Sequence, residues 1–420
     1  MSSRRTTIDY ILTFTSEFVV MLAGLLVYKL AAEYLPDRGF TDYSLSRRTI
    51  SFIQPLLILG LGVGIPRYVA FAEAKGSNFK SGSYFVAGLL IVALIAIPVL
   101  SILLLGRQFF SELLFDTAAF APLMPQLCLM LLGLILHSVV YSFYRGRVKM
   151  IQANVLQILN LGIVPLLAFA LSESLSSVLW ITGLGWTLLP AIFMIAIFFT
   201  LDWRPSDLKG CIKELTVYGL QRVPGDTALA GFLALPAFFT AHMVQDNLVT
   251  AGYVAFSMSM LGLAGAAFGP ICLLLLPSAS KIIVAKDFHL LQQLTNKVAI
   301  WTLGLTIAGI AFVLLLAGPI IDLYLGDSPP ELLICLRIII VSALGYTIYI
   351  SLRSILDAYY VKAVNTLNIF IAFGLFLIIA VIIMMSSLHV NWLLYAFDFC
   401  MLILGVLTAM ETYRIFKREL

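Results

Sequence analysis

The chain has 420 residues, 61% of them apolar and 11% charged, where soluble proteins carry roughly 25% charged residues; its mean hydropathy is +1.03. Its 26 basic and 22 acidic side chains cannot clothe a soluble core of this length, which excludes a soluble enzyme. So much apolar surface equally excludes a disordered chain or a disulfide scaffold. The composition predicts an all-α polytopic membrane protein.

In chain order, about twelve apolar stretches meet the roughly 20 residues that a membrane helix requires: 8–35, 45–74, 83–106, 118–145, 151–172, 176–200, 214–241, 247–280, 292–317, 331–357, 363–387 and 390–413. Segments of alternating polarity are absent, which excludes an outer-membrane barrel. The first stretch is long and carries Glu17, so it reads as a retained helix, not a cleaved signal. The second holds Pro66 and Arg67, and the fourth holds His137 and closes on Arg145. Further along, the seventh contains Arg222, Pro224 and Asp226, the eighth Pro277, the tenth Arg353 and the twelfth Asp398.

Most loop lysines and arginines fall on one side of these spans, among them Arg4, Arg5, Lys80, Arg147, Lys149, Lys209, Lys213, Arg414 and Lys417; Arg38, Arg47, Arg48 and Arg107 fall on the other. That asymmetry predicts both termini in the cytoplasm, and it accounts for the net charge of +4 without nucleic acid as a partner. The cysteines Cys128, Cys211, Cys272, Cys335 and Cys400 are scattered, with no CxxC pair, so they read as apolar packing and not as a metal site.

The chain repeats itself. Pro66 of PRYVAFAEAK matches Pro277 of PSASKIIVAK at an offset of 211, as do Ala74-Lys75 with Ala285-Lys286 and Asn154 with Asn365. An offset of half the chain predicts two six-helix lobes, residues 1–203 and 214–420, joined by a cytoplasmic link at 204–213. An even number of spans per lobe makes the repeats parallel, an arrangement suited to alternating access.

Three segments then carry a family resemblance. YGLQRVPGDTAL (Tyr218 to Leu229), GLGVGIPRYVA (Gly60 to Ala70) and LPDRGFTDYSL (Leu35 to Leu45) resemble the seventh helix, second helix and first periplasmic turn of polysaccharide and O-antigen flippases. Those flippases belong to the multidrug/oligosaccharidyl-lipid/polysaccharide exporter superfamily. The resemblance spans essentially the whole chain. It implies a bacterial inner-membrane flippase for an oligosaccharide on an undecaprenyl diphosphate carrier, with membrane lipids, a polysaccharide polymerase and chain-length machinery as partners.

Charges inside apolar stretches cost roughly 2.5–3.5 kcal/mol each, so they are candidates for function. Arg222, Arg67, Arg145 and Arg353 all read to the cytoplasmic half, where guanidinium groups would meet a diphosphate bidentately; snorkelling to lipid headgroups is the plainer alternative. The carboxylates Glu17, Asp226 and Asp398 are candidates for a coupling ion, H+ or Na+, with no other cofactor expected. Asp226 lies one turn beyond Arg222 and could pair with it. Pro66, Pro224 and Pro277 mark bending points for gating. The spacings Gly60/Gly64 and Gly265/Gly269 permit close helix approach.

No catalytic constellation or P-loop occurs, so a membrane glycosyltransferase, a ligase and an ATPase are disfavoured. The competing reading is an ion-coupled multidrug or metabolite exporter of the same superfamily.

Overall fold

The computed structural model describes residues 3–35, 38–74, 77–243, 248–360 and 364–420, with the side chains of 3–11, 270–274, 276, 277, 281 and 284 outside the description. Among the described residues the fold is helical throughout, without a strand. Eleven helices are long and apolar enough to cross a membrane, or up to 12 if one bent pair counts as a single span. The chain divides into two compact units, residues 1–227 and 228–420.

The first unit begins with α1 (Ser3–Tyr34), α2 (Gly39–Ile58), α3 (Leu61–Glu73), α4 (Ser81–Leu105) and the short α5 (Arg107–Phe115). It continues with α6 (Met124–Gly146), α7 (Met150–Gln157), α8 (Val164–Leu171), α9 (Leu175–Phe198) and α10 (Leu208–Leu220). The boundary between the units falls inside α11 (Val223–Met243). The connections at one end are tied together by polar contacts. Lys80 pairs with Asp202, Arg147 Nε donates to Glu73 at 2.9 Å, and the Lys80 N–H donates to Asp207 at 3.1 Å. At the opposite end Gln126 meets Ser176, and the 171–173 turn lies against Leu30 and Tyr34.

The second unit comprises the rest of α11, α12 (Leu248–Val284), α13 (Phe288–Leu325), α14 (Pro330–Val341), α15 (Ala343–Tyr359), α16 (Val364–Met385) and α17 (Val390–Glu419). Its interior is aromatic: Phe232, Phe376 and Phe397 are fully buried, with ring centroids 5.3–6.0 Å apart. Gly345 and Gly405 let α15 and α17 meet backbone to backbone, since a Cβ on Gly405 would stand 2.8 Å from the Gly345 Cα.

Three departures from the sequence reading bear on function. First, the second stretch does not begin at 45. α2 begins at Gly39, so Arg47 and Arg48 are helical residues and not loop residues. Its polar start is helical because Thr41, Ser44, Thr49 and Ser51 each return their hydroxyl to a carbonyl one turn back, which satisfies them locally.

Second, the bend in this stretch lies at Leu59 and Gly60, both at positive φ (49° and 66°), where α2 and α3 meet at 41°. Pro66 sits one turn and a half further on, inside α3. Third, the seventh stretch is two helices, α10 and α11, separated at Gln221 and Arg222. Pro224 falls in the first turn of α11, where a missing N–H costs nothing. Pro277 lies along α12, and its side chain is outside the described ones.

Candidate functional site

The two helix breaks of the first unit interlock. A Cβ on Gly219 would fall 2.1 Å from the Leu59 carbonyl oxygen, and one on Gly60 would fall 3.1 Å from the Gly219 Cα. Only glycine permits this approach, and Gly60 also supplies the left-handed backbone that the break requires. Gly64 lies against the Tyr218 ring, with 3.3 Å available to a Cβ. The α2–α3 break is thus seated on the last turn of α10.

That seating positions two arginines on one ring. The guanidinium carbon of Arg67 lies 5.0 Å from the Tyr218 centroid, and that of Arg222 lies 4.9 Å from it. Arg67 is exposed and Arg222 half-buried. Tyr218 is held in turn by Tyr68, edge to face at 5.9 Å, and Tyr68 stacks on Tyr84 at 5.4 Å. The Tyr84 hydroxyl donates to Glu214 on α10 at 2.5 Å. A ring face attracts a cation without neutralising it, so both guanidinium groups keep their full charge for a ligand.

The other candidate arginines have rings of their own. Arg145 turns to the Tyr141 ring at 5.5 Å, and Arg353, in the second unit, turns to Tyr349 at 5.8 Å. Asp226 is exposed one turn beyond Arg222, whose guanidinium points back to Tyr218. Among the described residues, Arg47, Arg67, Arg145 and Arg222 form no ion pair with a carboxylate.

A spacing links these arginines and escaped the sequence reading. Tyr43–Arg47, Tyr141–Arg145, Tyr218–Arg222 and Tyr349–Arg353 are all Tyr-x-x-x-Arg, which on a helix puts ring and guanidinium on one face. The signal was present in the sequence but is invisible to a search for acid–base pairs.

Glu17 belongs to a second polar place in the same unit. It is half-buried on α1, and Tyr141 lies in the electrostatic field of both Glu17 and Arg145. Beside it the fully buried Ser16 donates to Asn154 Oδ1 at 3.1 Å, and Asn160 Nδ2 donates to His137 Nδ1 at 3.2 Å. Residues Ile158–Ile163 form a π-helical segment, a deformation frequent at functional sites. The Gln157 Oε1 and Asn160 Oδ1 oxygens are buried without a donor. His137 is part of the hydrogen-bonded core. In the second unit, Asp398 lies near Ser342, whose hydroxyl donates to the Ile339 carbonyl, and its Oδ1 is buried without a partner among the described residues.

The link 204–213 is more ordered than a tether. Asp207 immediately precedes α10 and accepts from Ser83 Oγ and the Lys80 N–H, both at 3.1 Å. Burial alone would raise its pKa, but these hydrogen bonds, Ser206 and the Arg204 charge hold the carboxyl below its usual value. Cys211, fully buried on α10, has its thiol pushed up to about 12, chiefly by burial and then by Asp207 and Glu214.

No family model matches the sequence, and no curated protein matches it. Solved structures do match. An inward-facing multidrug-resistance MATE-family transporter of the MOP superfamily superposes with a TM-score of 0.78 over 98% of both chains, at 13% identity. The lipid II flippase MurJ, in an inward closed conformation, gives 0.72 over 97% of this chain and 87% of that one, at 14% identity. This chain has the fold of the MOP-superfamily transporters. A further MOP-superfamily transporter, from Pyrococcus furiosus and described by a reversed polarity of its binding pocket, gives 0.65 at 13% identity over 98% of this chain and 96% of that one.

Proposed function

We propose that the chain is a flippase of the bacterial inner membrane. It moves an oligosaccharide carried on undecaprenyl diphosphate from the cytoplasmic to the periplasmic leaflet by alternating access, for O-antigen or another surface polysaccharide. The observation that carries this reading is the pair Arg67 and Arg222 on the Tyr218 ring, two positive charges that, among the described residues, no carboxylate pairs with. Such a site suits a diphosphate and repels the cationic compounds that a multidrug exporter would take up. The link 204–213 and the connections tied to it face the cytoplasm, which puts the pair where the substrate's head group starts its passage.

An ion gradient is the energy source that the residues support, with Glu17 and the donor-free oxygens of Gln157 and Asn160 as the favoured place for H+ or Na+; Asp398 and Asp226 are the remaining candidates. The test is transport in proteoliposomes. An undecaprenyl-diphosphate-linked oligosaccharide should be translocated and should compete with other polyprenyl diphosphates, while a lipophilic cation should neither compete nor be carried. Carriage of the cation with no movement of the oligosaccharide would establish the multidrug reading instead.

A further inference from the structure

Arg47 belongs to the same Tyr-x-x-x-Arg set and is not part of the Arg67–Arg222 pair. It sits eight residues into α2, about 12 Å from the helix start, at the opposite end of the unit from the 74–80 and 200–207 connections. Its guanidinium carbon lies 5.3 Å from the Trp186 ring centroid on α9, and it hydrogen-bonds to the phenols of Tyr28 and Tyr43. The cage is rigid. Tyr28 and Tyr43 meet edge to face at 5.7 Å, and Tyr43 meets Phe169 at 5.5 Å. Trp186 is 2% exposed, and α6 presses on it so closely that a Cβ on Gly133 would stand 2.6 Å from the Trp186 carbonyl carbon.

Donors exceed acceptors in this cage. A guanidinium has more N–H groups than two phenols can accept, and among the described residues no carboxylate pairs with Arg47. The indole Nε1–H of Trp186 is buried with no acceptor among the described residues. An unmet buried donor is costly, and a fixed positive charge at membrane depth is costlier still. Both costs vanish if an anion enters. The side chain of Arg47 is only half-buried, so part of it remains reachable.

We propose that Arg47 and the Trp186 indole N–H form a second anion station, which receives the substrate's diphosphate after it leaves Arg67 and Arg222. This rests on the flippase reading for its substrate, but its test is local. A full-length chain retaining Trp186 as its sole tryptophan (W180F, W203F, W301F and W392F), held in nanodiscs of zwitterionic lipid, is titrated with inorganic diphosphate while Trp186 fluorescence is recorded. A saturable change is expected. Arg47→Gln should weaken the apparent affinity at least tenfold, the scale of one charge-assisted contact. Arg47→Lys should retain the response, and an Arg67→Gln/Arg222→Gln chain should keep it in full. Absence of any saturable change in the parent overturns the proposal without reference to a variant, as does an unaltered titration in a folded Arg47→Gln chain. A Trp186 signal that shifts between lipid-free detergent and nanodiscs but ignores diphosphate assigns the cage to a bilayer headgroup, which also overturns it. None of these outcomes touches the flippase reading, which stands or falls on transport by the Arg67 and Arg222 variants.

Discussion

An arginine in a membrane helix is expensive, and the usual remedy is an acidic partner. Here, among the described residues, the ring of a tyrosine one turn earlier serves instead at positions 145 and 222 and also lies under Arg353, while at position 47 the ring is that of Trp186 and Tyr43 gives its phenol. A cation over a ring face gains up to about 2 kcal/mol when desolvated yet stays electrostatically available. The arginines were legible in the sequence, because charge in an apolar run stands out. Their partners were not, because Asp226 offered an i, i+4 carboxylate and drew the pairing argument to itself. Arg47 was misplaced for a related reason: the polar run before it reads as a loop when its hydroxyls in fact bond within the helix. Tyr218 should therefore tolerate Phe, which keeps the ring, with oligosaccharide transport within about threefold of the parent. Tyr218→Leu removes the platform from both arginines and should lower transport about tenfold; equal rates for Phe and Leu would remove the ring from the account.

At the scale of elements, the decisive feature is the contact of two helix breaks. Composition marks the membrane stretches well, and their ends agree with the helices to within a few residues at most positions. It cannot mark a break whose cause is a distant backbone: Leu59 and Gly60 turn where they do because Gly219 fits against them. Gly219→Ala should cost on the order of 3 kcal/mol, read as a lowered midpoint of thermal unfolding in detergent. Gly269→Ala, where nothing lies within 4 Å of the added carbon, should leave that midpoint unchanged.

α10 is also fastened by Asp207, whose carboxyl titrates below its unfolded value. The fastening therefore contributes at neutral pH and is lost as pH falls through the depressed value, below about pH 4. Parent protein should lose thermal stability over that interval more steeply than Asp207→Asn, which starts lower and declines less. Cys211 reports the same event. Fully buried, with its thiol pushed up to about 12, it should resist maleimide at pH 7, and Asp207→Asn should speed its labelling.

For the whole molecule, length and hydropathy led to a polytopic helical fold, and the superposition on MOP-superfamily transporters agrees over nearly the full chain. The offset near 211 and the basic residues of the loops add two proposals that structure alone does not address, a duplicated lobe and a cytoplasmic position for both termini. What fold and hydropathy leave open is the role, since the same architecture serves multidrug transporters and a lipid II flippase. Charge decides in favour of an anion only if Arg67 and Arg222 act together on one ligand, which is the central claim. A double-mutant cycle in proteoliposomes measures that directly, with translocation of the undecaprenyl-diphosphate-linked oligosaccharide followed in the parent, Arg67→Gln, Arg222→Gln and the double variant at matched protein levels. Each single variant should lose at least tenfold, and the double variant should lose little more than the worse single, because one bidentate site is already broken. Losses that multiply, or a single variant that transports at the parent rate, would contradict a shared diphosphate site.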